Sequence, residues 1–370
     1  MSATKVPEQF SGFAADSPET WDHPKLVKYA PKKLLPVDIT IQIQACGVCG
    51  SDCHTIKGNW GPYNRPDLVV GHEIIGKVIE VGSQVTKHKV GDIVGVGAQA
   101  NSCGECSRCK SNNEQYCQKG GVFTYNAPDP KADNYITQGG YASHVRLNQH
   151  FAAAIPKNLD IHDAAPLLCG GLTVYSPIVR NAGHDLTGKT IGIVGIGGLG
   201  AMALQISKAL GAKKVYAFSR TNSKEKDAKA LGADELIATK DNANWVAEHL
   251  DEFDLILNCA NSGKGANLDP YLQVLKLTGV FANVSAPPAD EKLEITPFPM
   301  ILNGSTIKSS AIGSMKEADE VLKLYADKGL KPWIEKVAVS EDGVSEVLSR
   351  IDKGDVKYRF VLSDFEKFFN

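Results

Sequence analysis

Four of the nine cysteines in this 370-residue sequence lie within one short window. Their spacing, C-x2-C-x2-C-x7-C, supplies the four thiolates of a closed tetrahedral zinc site, and the four are Cys103, Cys106, Cys109 and Cys117. Four thiolates also hold iron–sulfur clusters, but this spacing departs from the ferredoxin pattern and nothing else in the chain indicates electron transfer. We therefore predict a structural zinc ion in the loop formed by residues 101–118.

A second set of possible ligands is dispersed along the chain: Cys46, Cys49, Cys53, His54, His72, Glu73 and Cys169. A cysteine or histidine taken alone is more often a core residue than a ligand. In combination, mixed thiolate and imidazole ligands can leave a fourth metal position open for a substrate, as in catalytic zinc sites. The residues themselves leave open which cysteines bind.

Residues 190–224 show the pattern strand, glycine turn, helix and strand. A β-branched run over 190–194 enters a G-x-G-x-x-G turn, a helix is predicted over 201–210, and a second strand over 214–218. In this context the turn predicts a dinucleotide site, with the pyrophosphate at the helix N-terminus. The predicted cofactor contacts are Gly195, Gly197, Gly198, Leu199 and Gly200.

The end of the second strand indicates which dinucleotide binds. NAD enzymes usually carry an acidic residue there, which bonds the adenosine ribose hydroxyls. This sequence has Ser219 and Arg220 instead, followed by Lys224, and residues 219–224 contain no carboxylate that would repel a 2′-phosphate. Arginine is suited to bidentate phosphate contacts. We predict NADP(H) as the cofactor.

Composition excludes several classes of protein. A formal net charge of −2 provides no basic field for nucleic acid or an anionic membrane surface. No apolar run approaches the length of a membrane span, and the N-terminus shows no targeting pattern. A cytoplasmic protein with reduced cysteines is the expectation.

The element pattern predicts an α/β protein with two domains. Residues 1–160 are rich in glycine and short strands, at 37–44, 74–81, 93–96 and 139–146, which indicates a β-rich, barrel-like domain. Residues 161–310 alternate strands and helices, as in a doubly wound parallel sheet. Residues 311–370 contain two helices and a strand, over 315–328, 343–353 and 358–362. We expect them to rejoin the first domain, because the parallel sheet already has its strands.

The order of these motifs resembles the zinc-dependent medium-chain alcohol dehydrogenases, and more narrowly the cinnamyl alcohol dehydrogenase branch with its fungal NADP(H)-dependent members. The resemblance spans nearly the whole chain, through C-G-V-C-G-S-D at 46–52, G-H-E at 71–73, the four-cysteine loop, A-P-L-L-C-G-G at 165–171, I-G-S-M-K at 312–316 and G-D-V-K-Y-R-F at 354–360. It implies a GroES-like catalytic domain, a Rossmann cofactor domain and a homodimer.

The resemblance also implies roles for single residues. Cys49, His72 and Cys169 would bind the second, catalytic zinc ion, and Glu73 would enter its shell when substrate or water leaves. Asp52 would orient His72. Thr173, and more weakly Gly313 and Ser314, would contact the cofactor, and Trp60 would line the substrate pocket. Cys46, Cys53 and Cys259 would be core residues. Arg359 is left open between a pyrophosphate contact and an ion pair on the surface.

The expected reaction is hydride transfer between NADPH and an aldehyde whose oxygen binds zinc, which acts as a Lewis acid. By the resemblance, Ser51 and then His54 would relay the proton. Aromatic (cinnamyl or benzyl) and branched aliphatic aldehydes are the expected small-molecule substrates.

Three alternatives remain at this point. The chain is also compatible with an NAD(H)-using, polyol-type or formaldehyde-type zinc dehydrogenase of the same family. A zinc-free quinone reductase or a silent relative would usually lack the ligand set that is present here. A zinc-ribbon protein that binds nucleic acid would show a basic stripe, which this sequence lacks.

Overall fold

A computed structural model describes residues 6–260, 266–287 and 293–369. Contacts between residues divide the chain into two compact units, one formed by Met1–Cys169 with Ser314–Asn370 and the other by Gly170–Gly313. The domain boundaries inferred from the sequence, at 160/161 and 310/311, stay a prediction.

The N-terminal segment of the first unit is built mainly of short strands. Its strands are β1 (Phe10–Ala15), β2 (Lys25–Tyr29), β3 (Asp38–Val48), β4 (Leu68–Val69), β5 (Glu73–Val81), β6 (Ile93–Val96), β7 (Gln99–Asn101), β8 (Val122–Phe123), β9 (Pro128–Asp129), β10 (Tyr135–Ile136), β11 (His144–Asn148) and β12 (Ala152–Ala154). Its helices are α1 (Gly50–Ile56), α2 (Ser107–Lys110) and α3 (Ile161–Ala164).

The second unit alternates helices with strands. Its helices are α4 (Gly170–Ala182), α5 (Gly198–Ala209), α6 (Glu225–Ala230), α7 (Trp245–Glu248), α8 (Asp269–Gln273) and α9 (Pro297–Asn303). Its strands are β13 (Thr190–Val194), β14 (Lys214–Ser219), β15 (Glu235–Ala238), β16 (Phe253–Asn258), β17 (Ala266–Asn267), β18 (Leu275–Asn283), β19 (Leu293–Glu294) and β20 (Thr306–Ser309).

The C-terminal segment completes the first unit. It consists of α10 (Met315–Lys328), β21 (Ile334–Ala338), α11 (Glu341–Asp352), β22 (Arg359–Ser363) and α12 (Phe365–Phe368). The largest sheet of the first unit runs β12-β6-β5-β3-β22-β21, with β11 also paired to β3. Because β22 pairs antiparallel with β3, opposite Val48 and Gly47, the last strands of the chain reach the region that holds the candidate ligands.

The alternation of apolar and polar residues in β3 and β5 correctly predicts these strands, but the strand predicted over 139–146 is wrong in its first half. Residues 139–141 instead make backbone hydrogen bonds to residues 69–71. A Cβ built on Gly139 would lie 2.5 Å from the backbone of Val70. Close backbone approach, rather than strand pairing, is therefore the reason for glycine at this position, and strand β11 starts only at His144.

The sheet of the second unit confirms the predicted doubly wound fold. Its six parallel strands run in the order β15-β14-β13-β16-β18-β20. Numbered along the sheet's own sequence, this is the 3-2-1-4-5-6 order of dinucleotide-binding sheets. Helix α8 is short, because β18 already begins at Leu275.

A buried ion-pair cluster ties β3 to the start of the cysteine loop. Lys32 is 3% exposed, and its Nζ lies 2.9 Å from Asp38 Oδ2 and 3.3 Å from Asp129 Oδ2. Both oxygens of Asp129 accept from the amide of Asn101, which in turn accepts from the N–H of Ser102. A buried charge requires such partners, because removing an ion from water costs several kcal/mol per ion.

Replacing Lys32 by alanine would leave two buried carboxylates without their shared cation. We expect Lys32→Ala to lower the free energy of unfolding by about 3–5 kcal/mol in denaturant titrations. Lys25→Ala is the matched control, because Lys25 pairs with Glu341 at the surface and exposed pairs contribute little. Equal losses in the two variants would contradict the importance of the buried cluster.

Candidate active site

The first candidate site lies where β3 runs into α1. Cys49 is the N-cap residue of α1, and its N–H donates to Asp52 Oδ2 over 2.9 Å. This contact is half of a capping box, in which a side chain at the third helical position satisfies the N–H at the cap. The helix start therefore holds the Cys49 backbone in place.

Asp52 is completely buried and accepts hydrogen bonds from four groups. Besides the N–H of Cys49, the donors are the N–H of Gly71 at 3.2 Å, Nδ1 of His72 at 2.8 Å and the hydroxyl of Tyr141 at 2.9 Å. Because Nδ1 donates to Asp52, Nε2 is the nitrogen of His72 left to act as a ligand. The geometry agrees with the predicted orienting role of Asp52.

The side chains of Cys49, His72, Glu73 and Cys169 converge on one buried point. One ligand atom from each lies within 4.8 Å of all the others, and Nε2 of His72 is 3.1 Å from Sγ of Cys169. Two sulfurs, one imidazole and a carboxylate match the donors that zinc takes in four-coordinate sites. The residues therefore fit a zinc ion, although their role as ligands stays a prediction.

The electrostatics of this cluster stabilise a thiolate at Cys49 and bind the His72 ring to Asp52. The hydrogen bond from Cys169 holds the pKa of Cys49 well below its usual value, although burial opposes this shift. Burial lowers the pKa of His72, but the Asp52 charge and hydrogen bond more than offset it and raise that pKa well above 6.5. A thiolate beside an imidazole that donates to a carboxylate is a common arrangement of metal ligands and their supporting groups.

Glu73 has a partner that sequence reasoning missed. Arg359, at the start of β22, is buried and its guanidinium forms an ion pair with Glu73, so the option of a surface ion pair for Arg359 is wrong. Burial raises the pKa of Glu73 to about 7, although the charge of Arg359 lowers it. The two strands that carry this pair, β5 and β22, flank β3, and this adjacency could not be read from the sequence.

Gly47 makes room for the Glu73 side chain. It lies on β3, opposite Glu73 in the sheet register. A Cβ built on Gly47 would overlap the Glu73 carboxylate and would lie 2.9 Å from its Cβ. The glycine at position 47 is therefore required by the close approach of the carboxylate.

The predicted relay and pocket residues follow on α1 and the turn after it. Ser51 Oγ lies 3.6 Å from Cys49 Sγ, and His54, one turn further along, contacts the amide of Asn59. Burial lowers the pKa of His54. Trp60 stacks on the His54 ring with centroids 4.9 Å apart and is 43% exposed. Their roles stay predictions.

The three cysteines without an assigned function differ in their surroundings. Cys46 and Cys53 belong to the hydrophobic core of the first unit, as expected. Cys259, at the end of β16, is only partly buried.

The four-cysteine loop brings its sulfurs together as predicted. The sulfurs of Cys103, Cys106, Cys109 and Cys117 all lie within 4.8 Å of one another. Backbone N–H groups point at them, including those of Gln118 and Cys109, which lower the pKa of Cys106 to about 6. Four converging sulfurs with N–H donors fit a closed zinc site.

The glycine turn of the second unit has the conformation that the motif predicts. Gly195 has φ +86°, and a Cβ on Gly200 would overlap the carbonyl oxygen of Gly195. Gly197 faces open space, with nothing within 4 Å of a built Cβ. Gly198 and Leu199 open α5, so their N–H groups stand at its N-terminus, where a phosphate is stabilised.

The loop after β14 carries the predicted phosphate contacts. Ser219 ends the strand, Arg220 follows it, and Nζ of Lys224 donates to the carbonyl of Ile196 over 2.7 Å, which joins this loop to the glycine turn. The fold also places a carboxylate at this loop that the sequence analysis did not identify. Oδ2 of Asp241 accepts a hydrogen bond from the N–H of Asn222 at 3.3 Å. Asp241 follows β15, which is the parallel neighbour of β14 in the sheet. Only the order of the strands shows that Asp241 lies near the loop after β14.

Two of the remaining predicted cofactor residues lie in the second unit, and the third is the first residue of the C-terminal segment of the first unit. Thr173 belongs to α4, and Gly313 is the unit's last residue. Ser314 is the N-cap of α10, and its hydroxyl bonds to Glu317. Their contact with a cofactor stays a prediction.

Comparisons with known proteins agree with this arrangement. Residues 36–157 match the alcohol dehydrogenase GroES-like domain and residues 198–327 the zinc-binding dehydrogenase model. The chain is 48% identical over 365 residues to NADP-dependent alcohol dehydrogenase 6 of Saccharomyces cerevisiae, covering 98% of this chain and 99% of that protein. It is similar to a cinnamyl alcohol dehydrogenase structure from Sorghum bicolor (TM-score 0.88, 34% identity, 96% and 97% covered). It is also similar to the structure of CAD from Helicobacter pylori complexed with NADP(H) (TM-score 0.86, 31% identity, 97% and 99% covered).

Changing Asp52 to asparagine would place an amide N–H₂ against groups that are all donors. We expect Asp52→Asn to weaken metal binding at the Cys49 site about 10–100-fold, because His72 loses its orienting partner. Zinc content measured after dialysis against graded chelator should fall at this site while the four-cysteine loop keeps its metal. Asp92→Asn, at a surface turn where Asp92 accepts from the N–H of Lys89, is the control. Unchanged zinc retention in both variants would contradict the role of Asp52.

Adding one methyl group at Gly47 would push the Glu73 carboxylate away from its partner. We expect Gly47→Ala to lower the free energy of unfolding by about 1–3 kcal/mol, as overpacking does in tight cores. Gly50→Ala is the matched control, because nothing lies within 4 Å of a Cβ there. Denaturant titration of both variants tests this, and a Gly47→Ala protein as stable as the control would show that the site can relax.

Proposed function

The chain belongs to the zinc-binding alcohol dehydrogenase family and is an oxidoreductase that acts on CH–OH groups, and we propose that it catalyses NADPH-dependent reduction of aldehydes. The observation that carries this proposal is the buried set of Cys49, His72 and Cys169, held in place by Asp52. The second unit supplies the dinucleotide turn and a loop with hydroxyl and cationic groups.

We assign the catalytic metal to Cys49, His72 and Cys169, with Glu73 as the carboxylate that exchanges with substrate or water. Zinc bound there would act as a Lewis acid on a carbonyl oxygen. Asp52 holds the His72 ring so that Nε2 faces the metal position. Arg359 pairs with the Glu73 carboxylate and so keeps this buried charge compensated while other groups occupy the fourth position.

Reduction adds a hydride to the carbonyl carbon and a proton to its oxygen, so that an aldehyde, NADPH and a proton give an alcohol and NADP⁺. The reduced nicotinamide supplies the hydride. Ser51, beside Cys49, is the proposed proton donor to the oxygen. His54 lies three residues further along α1, on the same helix face, and is the proposed source from which the proton is replaced.

NADP(H) rather than NAD(H) is the proposed cofactor. Ser219 stands where NAD enzymes usually carry an acidic residue, and Arg220 and Lys224 offer two cations for a 2′-phosphate. Asp241 contributes one negative charge nearby but is engaged with the backbone of Asn222. The yeast relative is named as NADP-dependent, and the Helicobacter relative is described in complex with NADP(H), which supports the same choice.

The substrates proposed are aromatic aldehydes such as cinnamyl and benzyl types, or branched aliphatic aldehydes. The exposed Trp60 ring, stacked on His54, offers an aromatic wall next to the proposed relay. The sorghum relative is named a cinnamyl alcohol dehydrogenase. NAD(H)-using and polyol-type or formaldehyde-type activities of the same family are the alternatives.

A homodimer formed through the second unit is part of the proposal. Strand β20 lies at one end of the parallel sheet. Large apolar side chains are exposed on α9 before it, Phe298 at 70%, Ile301 at 69% and Leu302 at 78%. Exposed apolar groups beside an open strand edge are typical of a protein interface. Among the described helices, none has the length and apolarity needed to cross a membrane.

The cofactor proposal is tested by NADPH and NADH oxidation with cinnamaldehyde. We expect turnover with NADPH, and Arg220→Ala should lower kcat/KM for NADPH by about 10–100-fold, as loss of a charged hydrogen bond predicts, with little effect on NADH. Lys213→Ala is the matched control, because Lys213 precedes β14 whereas Arg220 follows it. Equal use of NADH and NADPH by the unaltered protein would contradict the choice of cofactor.

Prolonged chelation should abolish turnover in the same assay, and zinc should restore it. Turnover that survives removal of all metal would contradict the catalytic assignment of Cys49, His72 and Cys169. Metal-loaded protein that reduces no aldehyde would instead contradict the proposed substrate class.

A further inference from the structure

Glu114 is a buried carboxylate within the four-cysteine loop. It begins a single 3-10 turn, Glu114–Tyr116, just before Cys117. Its side chain is almost fully buried, and Oε1 accepts a hydrogen bond from the backbone N–H of Met315 over 2.7 Å. This contact joins the metal loop to the first residue of α10, 201 positions later in the chain.

The first turn of α10 needs such an acceptor. The first N–H groups of any helix lack partners within the helix. Ser314 and Glu317 satisfy two of them by a capping box, in which Ser314 Oγ accepts from the N–H of Glu317 and Glu317 accepts from the N–H of Ser314. The N–H of Met315 is taken by Glu114. A carboxylate at the N-terminus of this 14-residue helix is also favoured by the helix dipole.

The backbone of Glu114 is held by the loop. Its carbonyl oxygen accepts from the N–H of Cys117 at 3.1 Å and from the Gln99 amide at 3.0 Å. Nε2 of His150 lies 3.5 Å from the same carboxylate oxygen that Met315 contacts. The backbone of Glu114 is therefore joined directly to Cys117, whose sulfur belongs to the four-cysteine cluster.

The loop has little apolar packing of its own. Between residues 102 and 120, all of which the structure describes, the buried side chains are those of Ser102, Glu114 and Cys117. A segment that buries so little surface relies on metal–sulfur bonds to fold. Loss of the metal would therefore release Cys117 and, with it, Glu114.

We propose that Glu114 couples metal occupancy of the four-cysteine loop to the order of the first turn of α10. In this arrangement Glu114 is a positioning residue, because its carboxylate contacts the first turn of α10 and is not among the predicted contacts of the metal or the cofactor. The coupling gives the loop metal an effect on Ser314, which opens α10 and is a proposed cofactor contact. The inference rests on the zinc site predicted for the four-cysteine loop.

The test is hydrogen–deuterium exchange on the intact, zinc-loaded protein, read by mass spectrometry for peptides that cover 314–328. Glu114→Ala should speed exchange at the first turn of α10 about tenfold, as loss of a charged hydrogen bond predicts, without loss of zinc. Glu114→Gln keeps an oxygen acceptor and should retain most of the protection. Glu105→Ala is the matched control, because Glu105 lies in the same loop but pairs with Lys119 at the surface.

A second arm separates coupling from local stability. Chelation of the loop metal, followed by zinc analysis, should speed exchange at the first turn of α10 in the unaltered protein. It should add little in Glu114→Ala, because two changes on one pathway are not additive. Peptides from α11 serve as the internal reference.

Three outcomes would overturn the proposal. Zinc-loaded Glu114→Ala with unaltered exchange would overturn the coupling alone. Equal acceleration by chelation with and without Glu114 would show that another contact transmits the effect. Absence of zinc from the loop would overturn the coupling together with the structural site. Hydrogen–deuterium exchange at α10 does not require turnover. Each of these outcomes can therefore be measured even if the proposed aldehyde reduction is wrong.

Discussion

The buried carboxylate of Asp52 is the interaction on which the candidate active site depends. It receives donors from the start of α1, from the segment before β5 and from Tyr141. A buried carboxylate needs several hydrogen-bond donors, because water does not reach it. Because the same group holds the backbone of Cys49 and the ring of His72, two proposed ligands from different segments share one point of attachment. Cys169 then approaches from the 3-10 turn over 165–168.

A metal site of this kind concentrates charge in the core, and the surrounding sheet compensates it. Arg359 on β22 faces Glu73 on β5, while Gly47 on the strand between them leaves room for the carboxylate. Lys32 performs a comparable function at the start of β3, where it pairs with two carboxylates. Buried ion pairs of this type add little net stability but are costly to break. Their value here is positional, because each one joins segments that are distant in sequence.

The four-cysteine loop shows how a metal can replace a hydrophobic core. It is mostly exposed, yet it is joined to the body of the first unit on two sides. On one side Asn101 and Ser102 connect it to the Lys32 cluster, and on the other Glu114 reaches the N-terminus of α10. A metal ion that closes the loop would therefore stabilise both connections, which is more than local cross-linking of four sulfurs would achieve.

The sequence by itself determined the fold class and most elements, because hydrophobic periodicity and glycine placement are local properties. Strand β13, helix α10 and the glycine turn lie where those patterns predict, and the spacing of the four cysteines was sufficient to predict their clustering. The resemblance to a known family added Cys49, His72, Cys169 and Asp52 as one set. No local pattern could have selected these four residues, because they are far apart in the sequence and each type also occurs elsewhere in it. Tertiary structure alone decided which strands became neighbours, and with that the contacts of Arg359 with Glu73, Asp241 with Asn222 and Glu114 with Met315. These pairs are 286, 19 and 201 residues apart in sequence. Strand order, register and packing determine which residues form these pairs, and all three depend on the whole chain.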